Sequence, residues 1–137
     1  MEVKVTDNSA IFKKAKDEAV AAALEAIGLT AERHAKERCP VDTGRLRNSI
    51  THATSEYSGQ GSYTDNNGKG YNDATARATP EKEAVYIGSN VEYARKQELL
   101  DSYHHTTGAA HFLRDAAATH GDEYKRIAEA QLKKANL

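Results

Sequence analysis

The stretch CPVDTGRLRNSI, residues 39–50, lies between a long helical segment and a short β region, and it decides how the chain folds. Proline disfavours helical geometry in the residue before it, so Pro40 predicts the end of the preceding helix. The short polar side chains of Asp42 and Thr43 can accept hydrogen bonds from the amides of the turn that follows. Gly44 can adopt backbone angles that are closed to other residues. The stretch therefore predicts a tight turn.

The second half of the stretch leads out of the turn. Leu46 and Ile50 are expected to point into the core, while Arg45 and Arg47 remain free to pair with acidic side chains. The pattern fits either a short helix after the turn or a strand that runs from Leu46 to Thr54. Both interpretations stay open.

Residues 8–38, before the turn, are predicted to form one long helix. Asn8 or Ser9 can cap its first turn, because a short polar side chain satisfies free amides there. Apolar residues, mostly alanine, recur at spacings of three to five, which is typical of an amphipathic helix. They are Phe12, Ala15, Ala19, Ala22 or Ala23, Ala26 and Ala31, with Leu24 and Ile27 beside them. Such a helix would be about 45 Å long, so one face could pack on another subunit, and Gly28 could mark a bend.

Residues 55–82 differ from the rest in composition, being rich in glycine, asparagine, aspartate and serine. Asn67 and Gly68 predict a tight hairpin turn flanked by Tyr63 and Tyr71, because asparagine and glycine accept positive φ. Two interpretations stay open: a mobile surface loop, or an arm that becomes ordered against a neighbouring subunit. The candidate interface residues of the arm are Tyr57, Tyr63, Asn67, Gly68 and Tyr71.

The chain resumes regular structure after this loop. Residues 85–90 predict a strand with Val85 and Ile87 on one face and Tyr86 on the other. The following segment, to residue 100, fits a helical turn or a short helix.

Residues 109–134 predict a second long helix, in which Gly121 is expected to cause a kink or a break. The predicted fold class is α+β, with two long helices packed on a small antiparallel sheet and a long polar hairpin-like loop. One domain is expected over residues 1–137, with 55–82 as its variable loop or arm.

Composition and charge exclude several classes of protein. Lys and Arg number 19 against 20 Asp and Glu, a net charge of −1, so the basic surplus of a DNA-binding surface is missing. No apolar run approaches the roughly 20 residues of a membrane span, and the first ten residues do not fit a secretory signal. A lone cysteine, Cys39, fits a reducing compartment.

Two kinds of enzyme can be weighed against the motifs. Asp-Thr-Gly also carries the catalytic carboxylate of aspartic proteases, and VYIGSN at residues 85–90 resembles their downstream apolar segment. In those enzymes two carboxylates share a proton, whereas Arg45 would hold Asp42 ionised. Those enzymes are also nearly all β, whereas about half of this chain is predicted to be helical. Cys39 has no histidine in a nucleophile–base pattern, so a cysteine enzyme is not expected.

The histidines raise the question of a metal site. His104, His105 and His111 are close in sequence, but no Cys, Asp or Glu joins them in a metal-ligand pattern. Solvated or interface histidines are expected, with no metal and no cofactor.

Three segments taken together, CPVDTGRLRNSI, VYIGSNVEYARKQE and AAHFLRDAA, resemble the tailed-phage gene-product-ten-like family. Members of that family are described as tail components or as neck and tail-completion proteins. The chain departs from the family pattern at Leu99 and Leu100, where an aromatic residue and a glycine are common, and at His111, where proline is common. The matching residues are Pro40, Asp42, Thr43, Gly44, Leu46, Ser49, Gly88, Tyr93, Ala94, Glu98, Phe112 and Leu113.

The resemblance implies a structural virion protein without enzymatic activity. It implies a ring of roughly six or twelve subunits around the DNA channel of the head–tail joint. The expected partners are head-closure, tail-terminator or tail-tube proteins, with DNA only passing through the lumen and no membrane. The expected location is the neck or tail of the virion, and the host cytoplasm during assembly.

Two further hypotheses concern contacts. Arg45 or Arg47 is predicted to pair with Glu98, which would tie the turn to the segment after the strand. The alternative function is a small intracellular interaction or regulatory module that uses the loop at residues 55–82.

Overall fold

The structure is a computed structural model that describes residues 9–74, 84–99 and 108–136, and it confirms the α+β class. The helices are α1 (Ser9–Arg38), α2 (Arg45–Ser49), α3 (Ala94–Leu99), α4 (Phe112–Ala118) and α5 (Gly121–Lys134). The strands are β1 (Thr51–Ala53), β2 (Tyr63–Thr64), β3 (Gly70–Tyr71) and β4 (Tyr86–Gly88). The predictions for Asn8, His104, His105 and loop residues 75–82 lie outside the described residues.

The long first helix is confirmed as α1, a continuous helix of 30 residues. Among the described side chains, its buried positions are the small residues Ala19, Ala23, Gly28, Ala31 and Ala35, and the alanines at 19, 23 and 31 belong to the predicted apolar stripe. Because these side chains are short, α4, α5 and β1 pack closely against the helix. Gly28, where a bend was considered, lies inside the continuous helix.

The turn after α1 follows the sequence prediction. Helix α1 ends at Arg38, just before Pro40. Gly44 has φ 84° in the left-handed region, and the amide of Arg45 donates to the hydroxyl of Thr43 over 3.3 Å. Of the two continuations left open, the chain forms the short helix α2 and then β1.

In the part of the chain that the structure describes, the strands form two separate antiparallel pairs and not a single sheet. Strand β1 pairs with β4, and His52 lies opposite Ile87. Strand β2 pairs with β3, and Tyr63 lies opposite Tyr71, as the hairpin prediction required. Gly68 has φ 85°, which confirms the positive φ expected there, whereas Asn67 does not have a positive φ.

The predicted second long helix consists of two helices, α4 and α5, with a break at Thr119 and His120. The Asp115 carbonyl accepts from both the hydroxyl and the amide of Thr119, over 2.6 Å and 2.9 Å. Gly121 begins α5, so the expected interruption is present immediately before it. The Tyr124 hydroxyl donates to the carbonyl of Ala116 and joins the two helices across the break.

One hydrophobic core lies where α1, α2, α4 and the segment after β4 meet. Its buried members are Ala35, Cys39, Leu46, Ile50, Val91, Ala94, Phe112 and Ala116. Among the described residues, Phe112 is the largest fully buried side chain, so it fills the space that the small residues leave open. Within the described residues, no helix has the length and apolar character that crossing a membrane requires.

Candidate functional site

The motif residues, which are scattered along the sequence, meet in and around this core. Leu46, Ala94 and Phe112 are buried members of the core cluster. Tyr93 and Leu113 are partly buried and pack against it. Motifs that are far apart along the chain therefore belong to one packed unit in the folded protein.

Ser49 connects α2 to the residues that follow β4. Its hydroxyl is fully buried, donates to the Leu46 carbonyl over 2.6 Å, and lies 2.5 Å from the hydroxyl of Ser89. Gly88 lies opposite Thr51 in the ladder between β1 and β4. A serine at position 49 thus fits a buried site where a short hydroxyl is needed to satisfy polar groups.

Arg45 is the centre of an ionic cluster beside the turn. Its Nη1 lies 3.2 Å from Glu92 Oε1, and its Nη2 lies 3.2 Å from Asp73 Oδ2. The guanidinium also lies over the ring of Tyr71, 4.5 Å from its centroid, and 6.0 Å from that of Tyr93. Arg45 therefore joins the turn to both the hairpin and the segment that begins α3.

The charges of this cluster are fixed by its geometry. The hydroxyl of Tyr63 and the guanidinium of Arg45 hold the pKa of Asp73 below its ordinary value. Burial, followed by the Asp73 carboxylate, raises the pKa of Tyr63 to about 12. The cluster thus keeps a charged arginine, a charged aspartate and a neutral tyrosine together near neutral pH.

The predicted pairing of Glu98 with Arg45 or Arg47 is wrong. The Glu98 carboxylate accepts hydrogen bonds from the backbone amides of Leu113, over 2.8 Å, and Arg114, over 3.0 Å. These amides open α4 and have no partner within the helix, so Glu98 caps the helix from a distant part of the chain. Arg47 instead donates to Asn66 Oδ1 over 2.9 Å.

The hairpin formed by β2 and β3, residues 63–71, is held by the turn and by α2. The amide of Asn66 donates to the Thr43 carbonyl over 2.7 Å, and the Asn48 side chain donates to the Thr64 carbonyl over 2.8 Å. A Cβ atom at Gly44 would lie 2.4 Å from Asn66 Oδ1, so only glycine lets the hairpin approach this closely. Of the residues 55–82, those in the hairpin thus dock on their own chain.

The candidate arm residues divide into two groups. The rings of Tyr63 and Tyr71 stack with centroids 5.2 Å apart, and Tyr57 stacks on His52 at 4.7 Å. Asn67 and Gly68 are exposed at the hairpin tip. A role of these residues in an interface stays a prediction.

The two side chains considered for catalysis have different surroundings. Asp42 is exposed, whereas the acid pair of an aspartic protease requires a buried loop. Cys39 is buried, and burial raises the pKa of its thiol to about 12. A thiol with such a pKa carries almost no thiolate at neutral pH.

A buried histidine, which the sequence reading missed, joins β1 to α1. His52 is 1% exposed, with Nε2 at 2.8 Å from Glu25 Oε1 and Nδ1 at 3.4 Å from Glu32 Oε1. A Cβ atom at Gly28 would lie 2.4 Å from the ring. The signal in the sequence was Glu25, Gly28 and Glu32, whose spacings of three and four residues place them on one helix face.

The two glutamates determine the protonation of His52. Burial alone would lower the pKa of His52, but its bonds to Glu32 and Glu25 raise it above the ordinary value of 6.5. Burial would raise the pKa of Glu32, but His52 and then Lys36 lower it below 4.5. The geometry favours a protonated histidine between two carboxylates.

A second histidine cluster, also missed, lies where α5 begins. His34 and His120 stack in parallel with ring centroids 3.6 Å apart, and His34 Nε2 lies 3.2 Å from Glu123 Oε2. No sequence pattern links residue 34 with residue 120. Only the packing of α5 on α1 brings the two residues together.

The fold and the site define a small α+β protein whose motif residues form a turn, a helix cap and a shared core. The sequence model of the HK97-gp10-like family, described as "Bacteriophage HK97-gp10, putative tail-component", matches residues 4–99. The chain therefore belongs to this phage tail-component family, as its motifs predicted. No curated protein and no solved structure matches the chain significantly.

Proposed function

We propose that the chain is a structural virion protein of the phage head–tail joint, acting in the neck or in tail completion. Its copies assemble into a ring of roughly six or twelve subunits around the DNA channel. The ring joins head to tail through head-closure, tail-terminator or tail-tube proteins, and DNA only passes through its lumen. The observation that carries the proposal is membership of the tail-component family over residues 4–99.

The contacts of the motif residues support a structural role. Arg45 connects the turn, the hairpin and the residues before α3, while Glu98 connects α3 to α4. Leu46 of α2 and Phe112 of α4 are both buried in the hydrophobic core that these elements share. Such cross-links give each subunit a fixed shape, which a closed ring requires because every interface must repeat the same geometry.

Exposed apolar side chains support assembly with other chains. Leu29 on α1 and Leu99 at the end of α3 are 54% and 52% exposed. A ring needs two different patches on each subunit, because the front of one copy meets the back of the next. Leu29 and Leu99 lie on different elements and are candidates for the centres of these patches.

Net charge supports a channel component. The sum of charges is −1, and a strongly basic lumen would retain the DNA that must leave through it. The alternative, an interaction module that uses residues 55–82, is less well supported. The described tyrosines and hairpin amides of that segment contact their own chain.

The proposal is tested by native mass measurement of the purified protein. The protein is measured alone and then mixed with the head-closure, tail-terminator and tail-tube proteins of the same phage. We expect a closed oligomer, formed alone or on addition of a partner. A strict monomer that joins none of these proteins would overturn the ring proposal.

A further inference from the structure

Three metal-ligating side chains converge at the junction of α1 and α5. His34 lies on α1, His120 immediately precedes α5, and Glu123 lies in the first turn of α5. One ligand atom from each residue lies within 4.8 Å of the other two. All three residues are partly buried.

The surroundings orient the donors toward one another. Arg33 Nη2 lies 3.4 Å from Glu123 Oε1, which leaves Oε2 facing His34 Nε2 at 3.2 Å and His120 Nδ1 at 3.9 Å. On the far side of its ring, His34 Nδ1 lies 3.7 Å from a Glu37 carboxylate oxygen. When Nε2 binds an ion in place of its contact with Glu123, the Glu37 carboxylate can hold the remaining ring proton on Nδ1.

His120 adds an independent indication. Its Nε2 atom is buried and has no hydrogen-bond partner within the described part of the chain. Buried polar atoms are almost always satisfied in native proteins, so this nitrogen calls for a partner, although Nδ1 is the ring nitrogen that faces Glu123.

We propose that His34, His120 and Glu123 bind a divalent transition-metal ion of the zinc type. Two imidazole nitrogens and one carboxylate oxygen are ligands that zinc accepts, with water in the fourth position. Bonds of about 2.0–2.1 Å place tetrahedral ligands about 3.3 Å apart, so the donors draw closer and the rings turn out of their stack. The bound ion fixes the start of α5 to α1. This inference does not depend on the proposed ring.

The test uses tag-free protein treated with a chelator and then titrated with Zn²⁺, followed by calorimetry and by thermal melting. We expect saturable binding of one ion per chain and a higher Tm, because an ion that binds the folded state stabilises it. Co²⁺ in place of Zn²⁺ should give the visible absorption bands of tetrahedral coordination. These bands distinguish a built site from weak association with scattered side chains.

Matched variants assign the site. His120→Gln and Glu123→Gln should each weaken Zn²⁺ binding at least tenfold and abolish the tetrahedral Co²⁺ bands. His104→Gln combined with His105→Gln removes two histidines elsewhere in the sequence and should leave binding unchanged. The proposal is overturned if the natural protein shows no saturable binding, or if His120→Gln and Glu123→Gln bind Zn²⁺ as tightly as the natural protein does.

Discussion

Gly44 and Gly68 share the same backbone geometry but differ in their surroundings. Their φ angles are 84° and 85°, in the left-handed region that costs other residues about 1–2 kcal/mol. A Cβ atom at Gly68 would meet nothing within 4 Å, whereas one at Gly44 would meet the side chain of Asn66. We therefore expect Gly44→Ala to lower the free energy of unfolding in urea by about 1 kcal/mol more than Gly68→Ala.

The additional loss has a definite source. Asn66 must move to make room at Gly44, and it then loses its bond from Arg47. Asn66→Ala in the same chain should remove most of the difference between the two glycine variants. Equal losses for Gly44→Ala and Gly68→Ala would show that close approach of the hairpin does not matter.

His52 predicts how stability depends on pH. The pKa of His52 is raised above 6.5, so its contribution is complete below that pH and is lost as pH rises through the raised value. The pKa of Glu32 is lowered below 4.5, so its contribution is present above 4.5 and is lost as pH falls through the lowered value. The contacts of His52 with the carboxylates of Glu25 and Glu32 should thus stabilise the folded protein most between pH 4.5 and 6.5.

The variant His52→Gln tests this window. This substitution keeps the side-chain volume roughly constant but removes the charge. It should lower the free energy of unfolding by about 2 kcal/mol at pH 5.5 and by less at pH 9. Unfolding curves in urea at several pH values measure the difference. A difference that stays constant from pH 5.5 to 9 would contradict a charged His52.

Single residues were predictable where their role is local. Thr43 and Gly44 form the turn as their chemistry required, because an ST-turn and a left-handed angle depend on neighbours in sequence. The partner of Glu98 was not predictable in the same way. Several acids and bases could have paired, and only the packing of α4 against α3 places free amides beside this carboxylate.

At the level of elements, Glu98 controls the start of α4. Its carboxylate accepts from two backbone amides, and α4 has no side-chain cap from His111, which precedes it with φ 60°. Glu98→Gln keeps an acceptor oxygen but removes the negative charge at the helix start. We expect this substitution to lower the free energy of unfolding, measured by thermal denaturation, by about 1 kcal/mol.

The control for this prediction is Glu129→Gln. Glu129 is exposed on α5 and lies 4.0 Å from Lys125, an ion pair of the kind that contributes at most about 0.5 kcal/mol. Its replacement should leave Tm nearly unchanged. Equal changes in the two variants would show that Glu98 acts through general charge and not as a cap.

Elements with a strong local pattern were predicted well, and those that depend on distant packing were not. Helix α1 and the hairpin of β2 and β3 follow from periodicity and from Asn-Gly. The division of the strands into two separate pairs does not follow from local sequence, because β1 pairs with β4 across a long stretch of sequence. The helix break was placed within two residues, but the Tyr124 bond that spans it depends on tertiary contact.

For the whole molecule, the exposed side of α1 is the surface to test for assembly. Leu29 is 54% exposed in the middle of a helix of 30 residues. Ala22, seven residues earlier, lies on the same side and is also exposed, so a partner helix could approach closely there. Burial of one leucine at an interface contributes about 1.5–3 kcal/mol, or about 10- to 150-fold in Kd.

Two substitutions at the same position separate assembly from folding. Leu29→Met keeps an apolar side chain of similar volume and should preserve the oligomer, whereas Leu29→Asp places a charge in the interface and should raise the Kd at least tenfold. As monomers, both variants should have the same Tm as the monomeric natural chain, because the leucine is exposed within one subunit. Native mass measurement over a dilution series gives the Kd of each. If Leu29→Asp assembles as tightly as Leu29→Met, α1 does not form the contact, and the patch around Leu99 becomes the surface to examine.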